Sequence, residues 1–279
     1  GPMSRGLDTQ LLEPSPDRFS AARLPHPSWT RSTIAFLLAL AAIHFLVDTT
    51  AMLINPLWPE LGARLGVGEQ GVFLIFMIWS LSVSFTQFLF GYLGDRFSGD
   101  RFIWLGPAAA IVCLSSIGWT RSPSMVTLLL VIGGLGVAAF HPEAATRAGR
   151  CMPHQRSRAM SLFVLGGFLG SAISPTYSGY LTQQFGMTSL AWTMVWALAG
   201  LGISLFVLNR IGSGQTPSAV PYAPLGQLWR DKAAPLTLVL SVQALRVAAA
   251  GGAPIAMAAM RCGRKNCRVR TATGAMCSS

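Results

Sequence analysis

Six apolar runs, each long enough to cross the hydrocarbon core of a bilayer as a helix, constrain this chain more than any other feature. They fall near 34–57, 71–94, 102–120, 124–143, 159–183 and 188–209, and a seventh candidate lies near 234–260. A span needs about 20 mostly apolar residues, and it must be helical because lipid offers no partner to a bare backbone amide. The runs therefore predict an all-α membrane protein whose first six helices form one bundle joined by short loops. Composition agrees: 52% of residues are hydrophobic and 11% charged, against about 25% charged in an average soluble domain. A water-soluble enzyme or binding module is excluded on that ground.

Charge then orients the bundle. The net charge of +11 would suit nucleic acid, but the basic residues sit between apolar runs, where they set topology instead. With the N-terminus inside, the cytoplasmic segments hold Arg5, Arg18, Arg23, Arg31, Arg96, Arg101, Arg147, Arg150, Arg156, Arg158, Arg210, Arg230 and Lys232. The outer loops of the six spans hold only Arg64 and Arg121. Thirteen against two predicts a multi-pass membrane protein with a cytoplasmic N-terminus.

Four segments follow. Residues 1–33 read as a flexible cytoplasmic lead, polar and proline-bearing, with Gly1-Pro2 ahead of Met3 resembling a protease scar. Residues 34–210 are the six-span unit, 211–233 a cytoplasmic linker, and 234–279 a seventh span with a basic tail. The tail is atypical. Arg246 interrupts the seventh run, RCGRKNCRVR follows at 261–270, and no Leu, Phe, Trp or Tyr occurs after Arg246. Such a break is what a truncated or out-of-frame product gives. Cys262 and Cys267 lack a second ligand pair at zinc-site spacing. No disulfide framework, cofactor or metal site is expected.

The residues that carry chemistry lie inside the runs. His44 and Asp48 are four apart in the first span and share one helix face. A carboxylate at that depth protonates, pairs or faces water, and ionisable groups in a span mark function by default. Asp48, with His44 beside it, is the first candidate for a proton-coupling or substrate site, the alternative being a structural pair that caps a neighbouring helix. The stretch GGLGVAAFHPEAATRAGR at 133–150 adds His141 and Glu143, which would sit where the fourth span meets a basic loop. Two residues turn a regular helix through about 200°, so His141 and Glu143 do not chelate one ion from one face. That spacing argues against a metal site built with His44 and Asp48. Glu143 can instead pair with Arg147 at i+4. Gly166 and Gly170, followed by Ser174 and Pro175, favour close helix contact and free a backbone carbonyl in the fifth span. GYLGDR at 91–96 closes the second span with Gly91, Asp95 and Arg96, as a gate latch or a capped turn.

GYLGDR after a second span resembles the loop 2–3 signature of the major facilitator superfamily. HFLVD at 44–48, AAFHPEAATRAGR at 138–150 and LGGFLGSAISP at 165–175 resemble, together, its fosmidomycin-resistance subfamily. The resemblance covers roughly residues 34–210. It implies the six-helix N-terminal bundle of a twelve-helix fold and proton-coupled efflux of a drug or small anionic compound. Asp95 and Arg96 then match the cytoplasmic gating signature, and Gly170, Ser174 and Pro175 the fifth-span antiporter region, with Ser174 where glycine is common. After the aspartate–arginine pair this chain has Ser98-Gly99-Asp100 where the signature continues with glycine and basic residues. The partners expected are the lipid bilayer, a small-molecule substrate with protons, and a second six-helix half, not nucleic acid. Two other readings stay open: a non-transporting half-bundle that scaffolds or is an inactive remnant, and a metal or metabolite carrier. No enzyme is expected, since no nucleophile or cofactor constellation is visible.

Overall fold

The computed structural model describes residues 29–96 and 100–212, with Thr237, Leu238, Ser241, Val242 and Leu245. Most of the 1–33 lead, the 211–233 linker and the seventh run with its tail lie outside the described residues. Within them the chain is helical and has no strand. The eight α-helices are α1 (Arg31–Met52), α2 (Trp58–Leu65), α3 (Glu69–Ser84), α4 (Thr86–Arg96), α5 (Asp100–Ser115), α6 (Pro123–Cys151), α7 (Arg156–Phe185) and α8 (Trp192–Ile211). They form six candidate spans: Arg31–Leu65, Glu69–Gly94, Asp100–Trp119, Pro123–Cys151, Arg156–Phe185 and Met187–Ile211.

Local chemistry accounts for the helix ends. The Thr30 hydroxyl accepts the Thr33 amide at 3.2 Å and starts α1, a cap that typically contributes about 1 kcal/mol. Ser122 does the same for α6 ahead of Pro123 at its first position. Gly66, Gly186 and Gly212, all with positive φ, terminate α2, α7 and α8.

Three boundaries differ from the sequence expectation. The first span continues past residue 57 because Pro56 and Pro59 sit where a new helix start tolerates them, and α2 follows. The second span is two helices broken at Phe85. There the Ser82 hydroxyl donates to the Trp79 carbonyl at 2.7 Å and the Thr86 hydroxyl to the Ser82 carbonyl. Hydroxyls that compete for helical carbonyls in this way bend and interrupt a helix. The fourth span does not end near Glu143: α6 carries Pro142 in its interior and runs on to Cys151.

α1 is the central helix. It packs against α5, α6, α7 and α8, most extensively against α7, while α3 and α4 lie on α6 and α5 lies along α6. Glycine brings α5 and α6 together, since a methyl group on Gly106 would stand 2.8 Å from the Gly136 carbonyl. Lipid gives apolar side chains no reason to associate, so such close backbone contact is what binds membrane helices. Outward-facing side chains are apolar: Phe168, Val195 and Ile203 are 69%, 73% and 67% exposed. Inside, Thr49, Thr50, Ser174, Ser178 and Thr193 are buried. A greasy exterior over a partly polar interior suits a bilayer and not water.

Candidate functional site

The site begins with a seam of small residues. Gly166, Gly170 and Ser174 recur every four residues on α7 and lie over the carbonyls of Ala41, Phe45 and Thr49, which recur every four on α1. A methyl group on Gly166 would strike the Ala41 carbonyl, and one on Gly170 the Phe45 carbonyl. The Ser174 hydroxyl donates to the Thr49 carbonyl, using its side chain where a glycine would leave that carbonyl to its own helix. Pro175 follows inside α7. The two backbones are therefore in direct contact, and the neighbouring stripe of α7 faces His44 and Asp48. Gly167 leaves room for both, since a methyl group there would meet the His44 ring and stand 2.7 Å from Asp48 Oδ2. One turn on, the Ser171 hydroxyl donates to Asp48 Oδ2 at 3.3 Å.

Three ionisable side chains converge here. His44 Nε2 is 3.5 Å from Asp48 Oδ2, and His141 Nε2 is 3.1 Å from Asp48 Oδ1. The His44 ring also stacks on Phe163, with centroids 4.3 Å apart. The far nitrogen of each ring is committed to a backbone carbonyl, His44 Nδ1 to Phe163 at 2.9 Å and His141 Nδ1 to Val137 at 2.7 Å. A carbonyl only accepts, so each Nδ1 donates and carries a proton. In the neutral tautomer so fixed, each Nε2 presents a lone pair toward a carboxylate that is itself an acceptor. Acceptors facing one another repel unless a positive charge stands among them. His44 is buried, whereas the Asp48 and His141 side chains keep 18% and 24% of their exposure, so the cluster has an open side. His44 and Asp48 fall in the middle third of the candidate span Arg31–Leu65, and His141 in the middle third of Pro123–Cys151.

Glu143 and Arg147 face a different way. Arg147 Nε donates to Glu143 Oε1 at 2.8 Å, and its Nη2 donates to Asp100 Oδ1 at the start of α5. The Glu143–Arg147 pairing expected at i+4 is present, and Asp100 completes it. α4 covers this face: a methyl group on Gly94 would be 3.2 Å from Glu143 Oε2, and one on Gly91 would be 3.7 Å from Pro142. The GYLG face thus packs across the Pro142–Glu143 segment. Arg96 is exposed and its Nη1 lies 3.2 Å from the Tyr92 hydroxyl. The Asp95 side chain lies outside the described residues.

The spacing argument therefore holds for Glu143 and fails to reach His141. Only one of the two has to face α1, and that one brings a third ligand-type side chain to His44 and Asp48. Sequence reasoning misses Ser171 and the Phe163 carbonyl. Both sit four residues from Gly167, one on each side, a periodicity that marks one helix face once that face is known.

A sequence profile of the Major Facilitator Superfamily matches residues 40–261, past Arg246 where the composition changes. The fosmidomycin resistance protein of Escherichia coli (strain K12) is 25% identical over 185 residues, covering 66% of this chain and 45% of that protein. The drug efflux pump JefA of Mycobacterium tuberculosis (strain ATCC 25618 / H37Rv) is 25% identical over 210 residues, covering 72% of this chain and 40% of its own. This chain thus spans about half the length, or less, of these curated relatives. Among solved structures, tetrameric PepTSo2 superposes with a TM-score of 0.55 at 15% identity, over 85% of this chain and 52% of that one. At that identity the likeness speaks for the fold alone. The profile covers most of the sequence, the six apolar helices span it in order, and the chain belongs to the Major Facilitator Superfamily.

Proposed function

We propose that this chain forms the N-terminal half of a proton-coupled exporter of a drug or small anionic compound, working with a second six-helix half across a bacterial inner membrane. The observation that carries this reading is the cluster of His44, Asp48 and His141 at mid-span, where three acceptors need a shared positive charge. In a transporter family, a proton exchanged at Asp48 supplies that charge in one state and leaves in another. Glu143 is the second candidate for the coupling role. The efflux and resistance names of the relatives support the direction and the substrate class. The arginine asymmetry supports a cytoplasmic N-terminus. It puts Gly91, Asp95, Arg96 and Arg147 at the cytoplasmic end, where they act as the gate that α4 closes over α6. The close seam of Gly166, Gly170 and Ser174 beside Pro175 makes α1 and α7 one rigid unit during that movement.

Proteoliposomes carrying the chain together with a facilitator C-terminal half, loaded with fosmidomycin under an imposed pH gradient, test the proposal. Efflux driven by the gradient is expected. Asp48→Asn keeps the size of the side chain and removes its titration, so it should reduce that flux to background while substrate still binds. Flux with unchanged pH dependence in Asp48→Asn would contradict the assignment, and the role would pass to Glu143 or to the second half.

A further inference from the structure

We infer that His44, Asp48 and His141 form a binding site for a divalent first-row transition metal ion, of the zinc, cobalt or nickel class. The inference stands on the geometry of the cluster and goes beyond the transport reading. Their ligand atoms all lie within 4.8 Å of one another. A tetrahedral ion with bonds of about 2.0–2.1 Å holds its ligands about 3.3 Å apart. His44 Nε2 lies 3.5 Å from Asp48 Oδ2 and His141 Nε2 lies 3.1 Å from Asp48 Oδ1, so each imidazole meets its own oxygen of the carboxylate at close to that spacing.

The surroundings match what such a site needs. Metal-binding histidines almost always donate their other ring N–H to a carbonyl or carboxylate, which fixes the tautomer and aims the lone pair. His44 does this to the Phe163 carbonyl and His141 to the Val137 carbonyl. A ligating carboxylate is itself usually hydrogen-bonded, and Ser171 donates to Asp48 Oδ2. Two imidazoles with one carboxylate favour zinc, cobalt, nickel or iron over the oxygen-seeking magnesium and calcium. The residual exposure of Asp48 and His141 leaves positions for water or a further ligand. The ligands come from α1 and α6, so a bound ion joins those helices, and it occupies the lone pairs a coupling proton would use. Zinc at saturating concentration is then an inhibitor of any flux that runs through Asp48.

Titrating the purified full chain in detergent with cobalt(II) chloride tests this, by the visible d–d absorption of the bound ion. One cobalt per chain is expected with nitrogen and oxygen ligation. Thiolate-to-cobalt charge-transfer bands report separately on the five cysteines, Cys113, Cys151, Cys262, Cys267 and Cys277. The His44→Gln, Asp48→Asn, His141→Gln triple variant should lose the nitrogen–oxygen signal and keep any thiolate signal. Ser171→Ala, a mild change outside the ligand set, should weaken binding about 10-fold. Should the triple variant misfold, X-ray absorption of the zinc-loaded parent chain should show two imidazole ligands. A nitrogen–oxygen signal retained in the folded triple variant, no such signal in the parent, or a zinc shell without imidazole would each overturn the inference. No gradient or substrate enters these measurements, so a chain that binds cobalt but moves nothing refutes only the transport reading. Proton-driven flux without cobalt binding refutes only this one.

Discussion

Two ionic clusters hang from one helix, their α6 members two positions apart. His141 turns α6 toward Asp48 and His44, while Glu143 turns it toward Arg147 and Asp100. The second cluster is closed: an arginine with five donors lies between two carboxylates, and every charge has its opposite within reach. The first is open. Among the described residues its one fixed donor to Asp48 is the Ser171 hydroxyl, and both histidines spend their fixed N–H groups on backbone carbonyls. A closed network holds elements in place. An open one turns acceptor lone pairs toward one another, which is what a site that exchanges cations requires. The difference lies in the basic partner: a guanidinium that only donates on one side, and on the other two imidazoles whose fixed N–H groups are turned to the backbone.

The contrast can be broken most severely at Arg147. Arg147→Ala leaves the Glu143 carboxylate, whose side chain is only 15% exposed, without its counter-charge. A loss of about 1–3 kcal/mol is expected, the cost of a mostly buried polar group left unsatisfied, read as a lower unfolding midpoint in detergent. Removing a charge from the open cluster should act in the opposite sense. The Asn amide carries two donors, so Asp48→Asn can donate to the facing Nε2 lone pairs. Stability should hold or rise by up to about 1 kcal/mol, the net worth of a typical hydrogen bond. A fall as large as that of Arg147→Ala would mean that Asp48 sits in a closed ion pair. The smallest effect belongs to Asp100→Asn. Its side chain is 73% exposed, so the change should stay within about 0.5 kcal/mol and shrink further in added salt.

The spans were readable because lipid imposes a length, and a length survives in sequence as an unbroken apolar run. What lipid does not police was not readable. α6 continues to Cys151 and the first span acquires α2, since water-facing helix ends obey caps and prolines instead. The break at Phe85 comes from two hydroxyls reaching back to carbonyls, a choice that composition conceals. Within the site, His44 and Asp48 announced each other at i+4. His141 did not, because its partner lies 93 residues away and helical spacing speaks only of neighbours on one helix. Asp100, which the sequence showed only as a departure from a signature, turned out to hold Arg147. The Asp95 expectation falls on a side chain outside the described residues.

The open cluster stays open only while both of its imidazoles carry their fixed proton on Nδ1. Nitrogen-15 NMR of the histidine-labelled full chain reads this directly, and the four histidines, His26, His44, His141 and His154, can be assigned by single substitutions to glutamine. The account predicts protonated Nδ1 at His44 and at His141 under all conditions, with Nε2 changing state as cations are added or withdrawn. A neutral ring with its proton on Nε2 at either residue would contradict it. That nitrogen would then donate to Asp48, the cluster would be closed like its neighbour, and neither proton nor metal would be needed to hold it together.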